Sequence, residues 1–185
     1  MFGDLGAVVE EFAYPEAAAV SMLGPVVNGV EAAVIHEERL KTKAELMDPV
    51  VGPRMLNERD FLATDYVKML NELKALRASQ IVTLRDIDVF LSPTTRIPAL
   101  PVATVDKSLE TYLAYFAQYM ANTNIGNRLS LCGLSLPCGF TSKGLPIGLL
   151  INGKPFAEAT VLRAGYAFEQ ATDWVQKRPD LSWVA

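Results

Sequence analysis

Residues 127–152, NRLSLCGLSLPCGFTSKGLPIGLLIN, constrain the fold more than any other stretch of this chain. Two short apolar runs are punctuated by Gly and Pro and separated by the polar turn residues Thr141, Ser142, Lys143 and Gly144. Apolar runs of this length, bounded by turn residues, read as two strands of a hairpin. A compact polar loop at Asn127 leads into the first strand.

Composition sets the limits on what surrounds that hairpin. With 185 residues, 50% of them hydrophobic and 21% charged, the chain has globular composition and enough apolar material for one core. The net charge of −4, from 17 basic and 21 acidic side chains, is spread along the sequence, so no basic stripe is available for phosphates and nucleic acid is excluded as a partner. No apolar run approaches the length of about 20 residues that a membrane span needs. The first residues carry Asp4, Glu10 and Glu11 where a leader would have basic residues. The expectation is a soluble, untargeted, cytoplasmic protein with no membrane partner and no cofactor. Cys132 and Cys138 sit among apolar strand residues and read as reduced core thiols. His36 is the single histidine; beside Glu37, Glu38 and Arg39 it reads as a surface side chain, and a zinc site of several histidines is ruled out within the chain.

Periodicity places the other elements. Residues 5–15, LGAVVEEFAYP, alternate well enough for one strand. After Gly24-Pro25, apolar residues at Val27, Val30, Val34 and Leu40 predict one amphipathic helix reaching about Met47. Asp48-Pro49 and Gly52-Pro53 predict a loop. Thr64 is the expected N-cap of a long helix carrying Tyr66, Met69, Leu70, Leu73 and Leu76. Asp88 to Pro93 reads as a buried strand and residues 94–106 as an irregular loop. Ser108 caps a helix whose aromatic stripe, Tyr112, Tyr115, Phe116 and Tyr119, is expected in the core. A last helix opens at Pro155 and Glu158 and ends near Trp174. The expected fold class is α/β, a mixed β-sheet flanked by helices, with no linker that divides residues 1–185.

Several local motifs in this order resemble the amidase signature family. LGAVVEEFAYP is similar to the family's strand after its catalytic serine region, AAVIHEERL to the following helix, and DVFLSPT to a short strand ending in Pro and Thr. NRLSLCGLSLPCGF with GLPIGLLING resembles the final hairpin, and AEATVLRAGYAFEQ the last helix. The resemblance implies the C-terminal portion of an amidase-signature fold, hydrolysing carboxamide C–N bonds by a serine nucleophile, a second serine and a lysine base, with backbone amides holding the oxyanion. In the family those parts precede the matched region, so no catalytic residue is expected here. Ser79, Ser92, Ser130, Ser135 and Ser142 stand singly, without a Gly-Gly-Ser-Ser context, and Ser142-Lys143 reads as a turn.

The resemblance carries over pocket positions only. Thr94 and Asn127 match positions near the family's substrate cavity, and Leu131, Cys132 and Gly133 look like pocket lining. Asn127 would bond a substrate amide or satisfy its own turn, with the turn slightly favoured. Nothing near Cys132 lowers a thiol pKa, which speaks against a nucleophilic role. In glutamine-using relatives an arginine near Arg54 grips a substrate carboxylate, but VVGPRML matches loosely and favours a surface ion pair. Met120 stands where those relatives place an acid, which argues against a tRNA amidotransferase role; NTNIGNRLSLC is nearer in wording to allophanate or biuret hydrolases. The implied partners are a small amide substrate in the complete enzyme, and an N-terminal amidase segment or a second copy of the chain. The alternative is a non-catalytic interaction domain that kept the scaffold and binds a partner subunit.

Overall fold

The predicted hairpin forms and recruits one further strand. Strand β2 (Cys132–Phe140) pairs antiparallel with β3 (Pro146–Gly153), which pairs antiparallel on its other side with β1 (Val89–Pro93), giving the order β1-β3-β2. The structure, a computed structural model, describes residues 1–23, 26–48 and 50–182, and the side chains of these except residues 26, 53, 54, 57 and 58. The turn is closed by Thr141 N donating to Leu145 O, with Gly144 at φ 75°, a conformation glycine adopts without steric cost. Ser142 and Lys143 are the tip of this turn.

Around the sheet stand α1 (Pro15–Met22), α2 (Val26–Ile35), α3 (Glu37–Thr42), α4 (Val51–Glu58), α5 (Ala63–Thr83), α6 (Val102–Val105), α7 (Leu109–Leu129) and α8 (Glu158–Gln170). Two cores result. Helix α8 lays Val161 and Phe168 on Leu136 and Ile151 of the sheet, and Phe2 stacks on Phe168 with ring centroids 5.7 Å apart. Val20, Leu73 and Leu129 bring α1, α5 and α7 together in the second. Burying a leucine such as Leu129 completely stabilises by about 1.5–3 kcal/mol.

Polar side chains lock this helical junction. Gln80 of α5 donates Nε2 to Leu129 O at 2.7 Å and accepts from Tyr14 Oη at 2.8 Å. Arg128 Nη1 donates to Val20 O at 2.7 Å, and Arg77 Nε to Arg128 O at 2.7 Å. Buried carbonyls at helix ends need such donors. Burial, followed by the charge of Glu16, pushes the Tyr14 phenol far up, so it stays a donor.

Several expectations are corrected. Residues 5–15 form no strand: a 3-10 turn spans Gly3–Leu5 and residues 7–14 run without helix or ladder, because no described strand offers them a partner. The single helix expected up to Met47 breaks at His36 into α2 and α3, which turns Leu40 into the interior while Val34 and Ile35 stay exposed. Gly52-Pro53 lies in the first turn of α4, where a missing N–H costs nothing, and Asp48 Oδ1 accepts from Val50 N and Val51 N. Thr64 is inside α5, whose N-cap is Leu62. Strand β1 is a half-exposed edge, with Leu91 41% exposed, since among the described residues no strand pairs with its outer side. The aromatic stripe of α7 is half-buried, with Tyr112 stacked on Phe116 at 6.0 Å. Cys132 and Cys138 are free but only half-buried. Ser108 caps α7 as expected, its Oγ accepting from Thr111 N at 3.1 Å. Helix α8 ends at Gln170, and Trp174 begins a separate 3-10 turn. Among the described residues no single helix is long and apolar enough to cross a membrane.

Candidate functional site

Strand alternation divides the sheet into an α8 face and an opposite face, and the opposite one collects the polar groups. Its rows, read across β1-β3-β2, are Phe90–Asn152–Gly133 and Ser92–Leu150–Ser135. Thr94 N donates to Gly148 O at 2.9 Å, which carries the ladder one residue beyond β1 and places Thr94 beside Gly148. The Thr94 and Ser135 hydroxyl oxygens then meet at 2.6 Å. A Cβ on Gly148 would lie 2.5 Å from Thr94 Oγ1 and 3.0 Å from Ser135 Oγ, so the bare backbone of β3 is what lets the two hydroxyls join.

Helix α7 touches the same face at two points. Asn122 Nδ2 donates to Pro93 O at 2.7 Å and its Oδ1 accepts from Arg96 Nε at 3.4 Å, fixing the end of β1 against the helix. Gly126 of α7 and Gly133 of β2 lie on either side of Asn152, whose Oδ1 would stand at ordinary contact distance, 3.6 and 3.5 Å, from a Cβ on each. Asn152 is buried; Ser135 and Gly133 face the open side next to β2. Hydroxyls and carboxamides can donate to and accept from a neutral carboxamide, and they orient it without taking its proton. No His, Lys or carboxylate stands at these strand positions.

The six residues expected at a site do not form one cluster. Thr94 and Gly133 lie on the face just described. Leu131 turns into the helical core beside Val20, Leu73 and Leu129. Cys132 points to the α8 side, its Sγ donating to Lys154 O at 3.1 Å. Asn127 is in the last turn of α7, not in a loop, since the helix continues until Ser130 takes φ 58° and Leu131 N donates to Gly126 O. The turn-satisfying role considered for Asn127 therefore has no turn to act on. Asn127 lines a different cleft of about 190 Å³ with Asn28, Glu31, Arg77, Asn124 and Arg128. Burial lowers the Arg128 guanidinium from its usual range, and Glu31 accepts from Tyr66 Oη at 2.9 Å. The Arg54 side chain lies outside the described residues.

Ser135, Gly148, Asn122 and Asn152 were not singled out as site residues by the sequence. A signal existed for two of them: Ser135 is two residues from Gly133 on an alternating strand, and Gly148 interrupts the apolar run PIGLLI. Asn122 carried none, because its partner is a carbonyl 29 residues away. Burial raises the Cys138 thiol. Among the described residues no three His, Cys, Asp or Glu side chains come together as metal ligands.

The sequence profile of the amidase family matches residues 6–162. A glutamyl-tRNA(Gln) amidotransferase polypeptide from Methanosarcina barkeri is 40% identical over 151 residues, covering 78% of this chain and 30% of that protein. An amidase from Pseudomonas putida is 33% identical over 192 residues, covering 96% of this chain and 38% of the relative. Among solved structures, an amidase superposes with a TM-score of 0.73 at 26% identity, over 92% of this chain and 39% of the other. An allophanate hydrolase from Kluyveromyces lactis superposes with a TM-score of 0.82 at 21% identity, over 97% and 30%, a likeness of fold alone. The chain thus spans about three to four tenths of the length of these relatives.

Proposed function

The chain belongs to the amidase family, and from that membership we propose that it forms the C-terminal part of a domain hydrolysing carboxamide C–N bonds, supplying one wall of the substrate pocket. The observation that carries this reading is the Thr94–Ser135 hydroxyl pair over Gly148. It presents neutral donors and acceptors suited to a carboxamide, on a face whose strand positions carry no base to activate a nucleophile. Thr94, Ser135 and Gly133 are the wall; Leu131 and Cys132 hold it from behind by packing into the two cores. The nucleophile, base and oxyanion donors come from the remainder of the domain, and residues 1–185 act as one partial domain within it. Asn127 contributes from the neighbouring cleft, and the reading does not require Arg54. The substrate proposed is a small neutral amide. The setting proposed is cytoplasmic, which the unpaired thiols of Cys132 and Cys138 support.

Ammonia release tests the reading. The purified chain should release none from simple amides such as acetamide or biuret. Supplying the part of the Pseudomonas putida amidase outside its aligned stretch should restore release, and Thr94→Val with Ser135→Ala should raise KM in the restored enzyme. Sustained turnover by the chain alone overturns the proposal. A second reading, a non-catalytic module that binds a partner subunit, is favoured by the exposure of Val8 and Val9. It predicts a complex without hydrolysis.

A further inference from the structure

Asn152 is 4% exposed, and among the described residues its side-chain amide makes no hydrogen bond. Burying a carboxamide costs free energy unless something pairs with it, so a partnerless one calls for an occupant. The amide is not sealed in. Among the described residues, the one buried side-chain atom cut off from partner and solvent alike is Glu16 Oε2, while Glu16 Oε1 accepts from the Ser79 and Thr83 hydroxyls at 2.8 and 2.9 Å. The Asn152 amide therefore keeps an opening to the outside.

Two glycines locate that opening. A Cβ on Gly126 or Gly133 would stand 3.6 or 3.5 Å from Asn152 Oδ1. Gly126 is half-buried on α7, whereas Gly133 is exposed on β2, so a molecule lying against β2 meets the Asn152 amide across the missing side chain of Gly133. The other residues of this face beside it are uncharged. Phe90 is its partner on β1, and Leu150 sets its Cδ1 3.5 Å from the same Gly133 Cβ position. A charged group would enter there without a counter-charge, while a second carboxamide offers an acceptor to the Asn152 N–H and a donor to its oxygen. The Thr94–Ser135 hydroxyls lie farther along the same face. Ser135 is two residues from Gly133 on β2, about 7 Å at the strand rise of about 3.4 Å per residue.

We infer that Asn152 is a specificity-determining residue that holds a second, neutral carboxamide of the substrate while the Thr94–Ser135 hydroxyls hold the one that is cleaved. The substrate class is then a short linear diamide such as adipamide, whose hydrolysis by water releases ammonia and adipamate with the far carboxamide intact. This deepens the proposed function and rests on it.

Two measurements test the inference. The first uses the chain itself. Asn152→Leu replaces a partnerless amide with an apolar side chain of similar size and should leave Tm unchanged or raised, as should Gly133→Ala, whose methyl would meet no atom closer than 3.5 Å. A clear fall in Tm for Asn152→Leu would show that the amide serves the fold, and overturns the inference. The second uses the chain restored with the part of the Pseudomonas putida amidase outside its aligned stretch. It compares adipamide with hexanamide, which lacks the far carboxamide, and with adipamate, in which that group is charged. The kcat/KM for adipamide should exceed both by about tenfold or more. Asn152→Leu should bring adipamide and hexanamide level, and so should Gly133→Ala, whose methyl stands between the amide and the substrate. A preference for adipamide that both variants leave intact, or a preference for adipamate, sinks this inference alone. No turnover of any amide sinks the proposed function, and this inference with it.

Discussion

The hydroxyl oxygens of Thr94 and Ser135 stand 2.6 Å apart on either side of Gly148, 41 residues separating them in the chain. The contact spans three strands and exists only because the central residue has no side chain. It joins the loop after β1 to the middle of β2.

Gly148→Ala should break that contact. The new methyl would lie 2.5 Å from Thr94 Oγ1 and 3.0 Å from Thr94 Cβ, and a β-branched side chain has no alternative rotamer that clears it cheaply. The expected loss is about 1–3 kcal/mol of stability, the usual cost of overpacking. Thermal unfolding of wild type and variant measures it; an unchanged Tm would show that the hydroxyl pair is not held by Gly148.

Gly153→Ala should destabilise from the other face. Its Cβ would lie 2.5 Å from Val161 Cγ2 and 3.1 Å from Cys132 Sγ, forcing α8 away from the sheet. The cost is again about 1–3 kcal/mol. Pairing it with Val161→Ala should recover part of the loss, a non-additivity readable in urea titrations.

Gln80→Leu should cost about 2–4 kcal/mol in spite of its added apolar surface. The buried Leu129 carbonyl and the half-buried Tyr14 hydroxyl lose their hydrogen bonds at once, and leaving a buried partner unsatisfied costs about 1–3 kcal/mol. A variant as stable as wild type in chemical denaturation would mean that water replaces the amide.

Acid should weaken the α1–α5 junction through Glu16. Its carboxyl is held below the usual value of 4.5 in the folded chain, so it binds a proton more readily when unfolded. The stability it contributes is therefore present above about that value and is lost as pH falls through the lower folded one. Denaturant titrations from neutral pH downward should show stability falling with pH across that window. Glu16→Gln should flatten the slope, while Ser79→Ala should shift the loss to higher pH.

Sequence alone determined what depends on neighbours in the chain. The hairpin of β2 and β3, the Ser108 cap, the turn at Gly144 and the long periodic α5 rest on local sterics and on apolar spacing, and they stand where residue order puts them. The order of motifs also sufficed to place the chain in its family. Tertiary structure decided everything that needs a partner distant in the chain. Residues 5–15 alternate like a strand but are not one among the described residues, because a strand exists only with a neighbour to share its amides. Asn127 looked like a loop residue until α7 ran past it, and it parted from Thr94 because a helix points successive side chains to different sides. The joining of Thr94 to Ser135, the clamp of Asn122 on Pro93 and the half-served Glu16 are all meetings across 29 or more residues. Such meetings are fixed by how the two cores close, which local propensity does not encode.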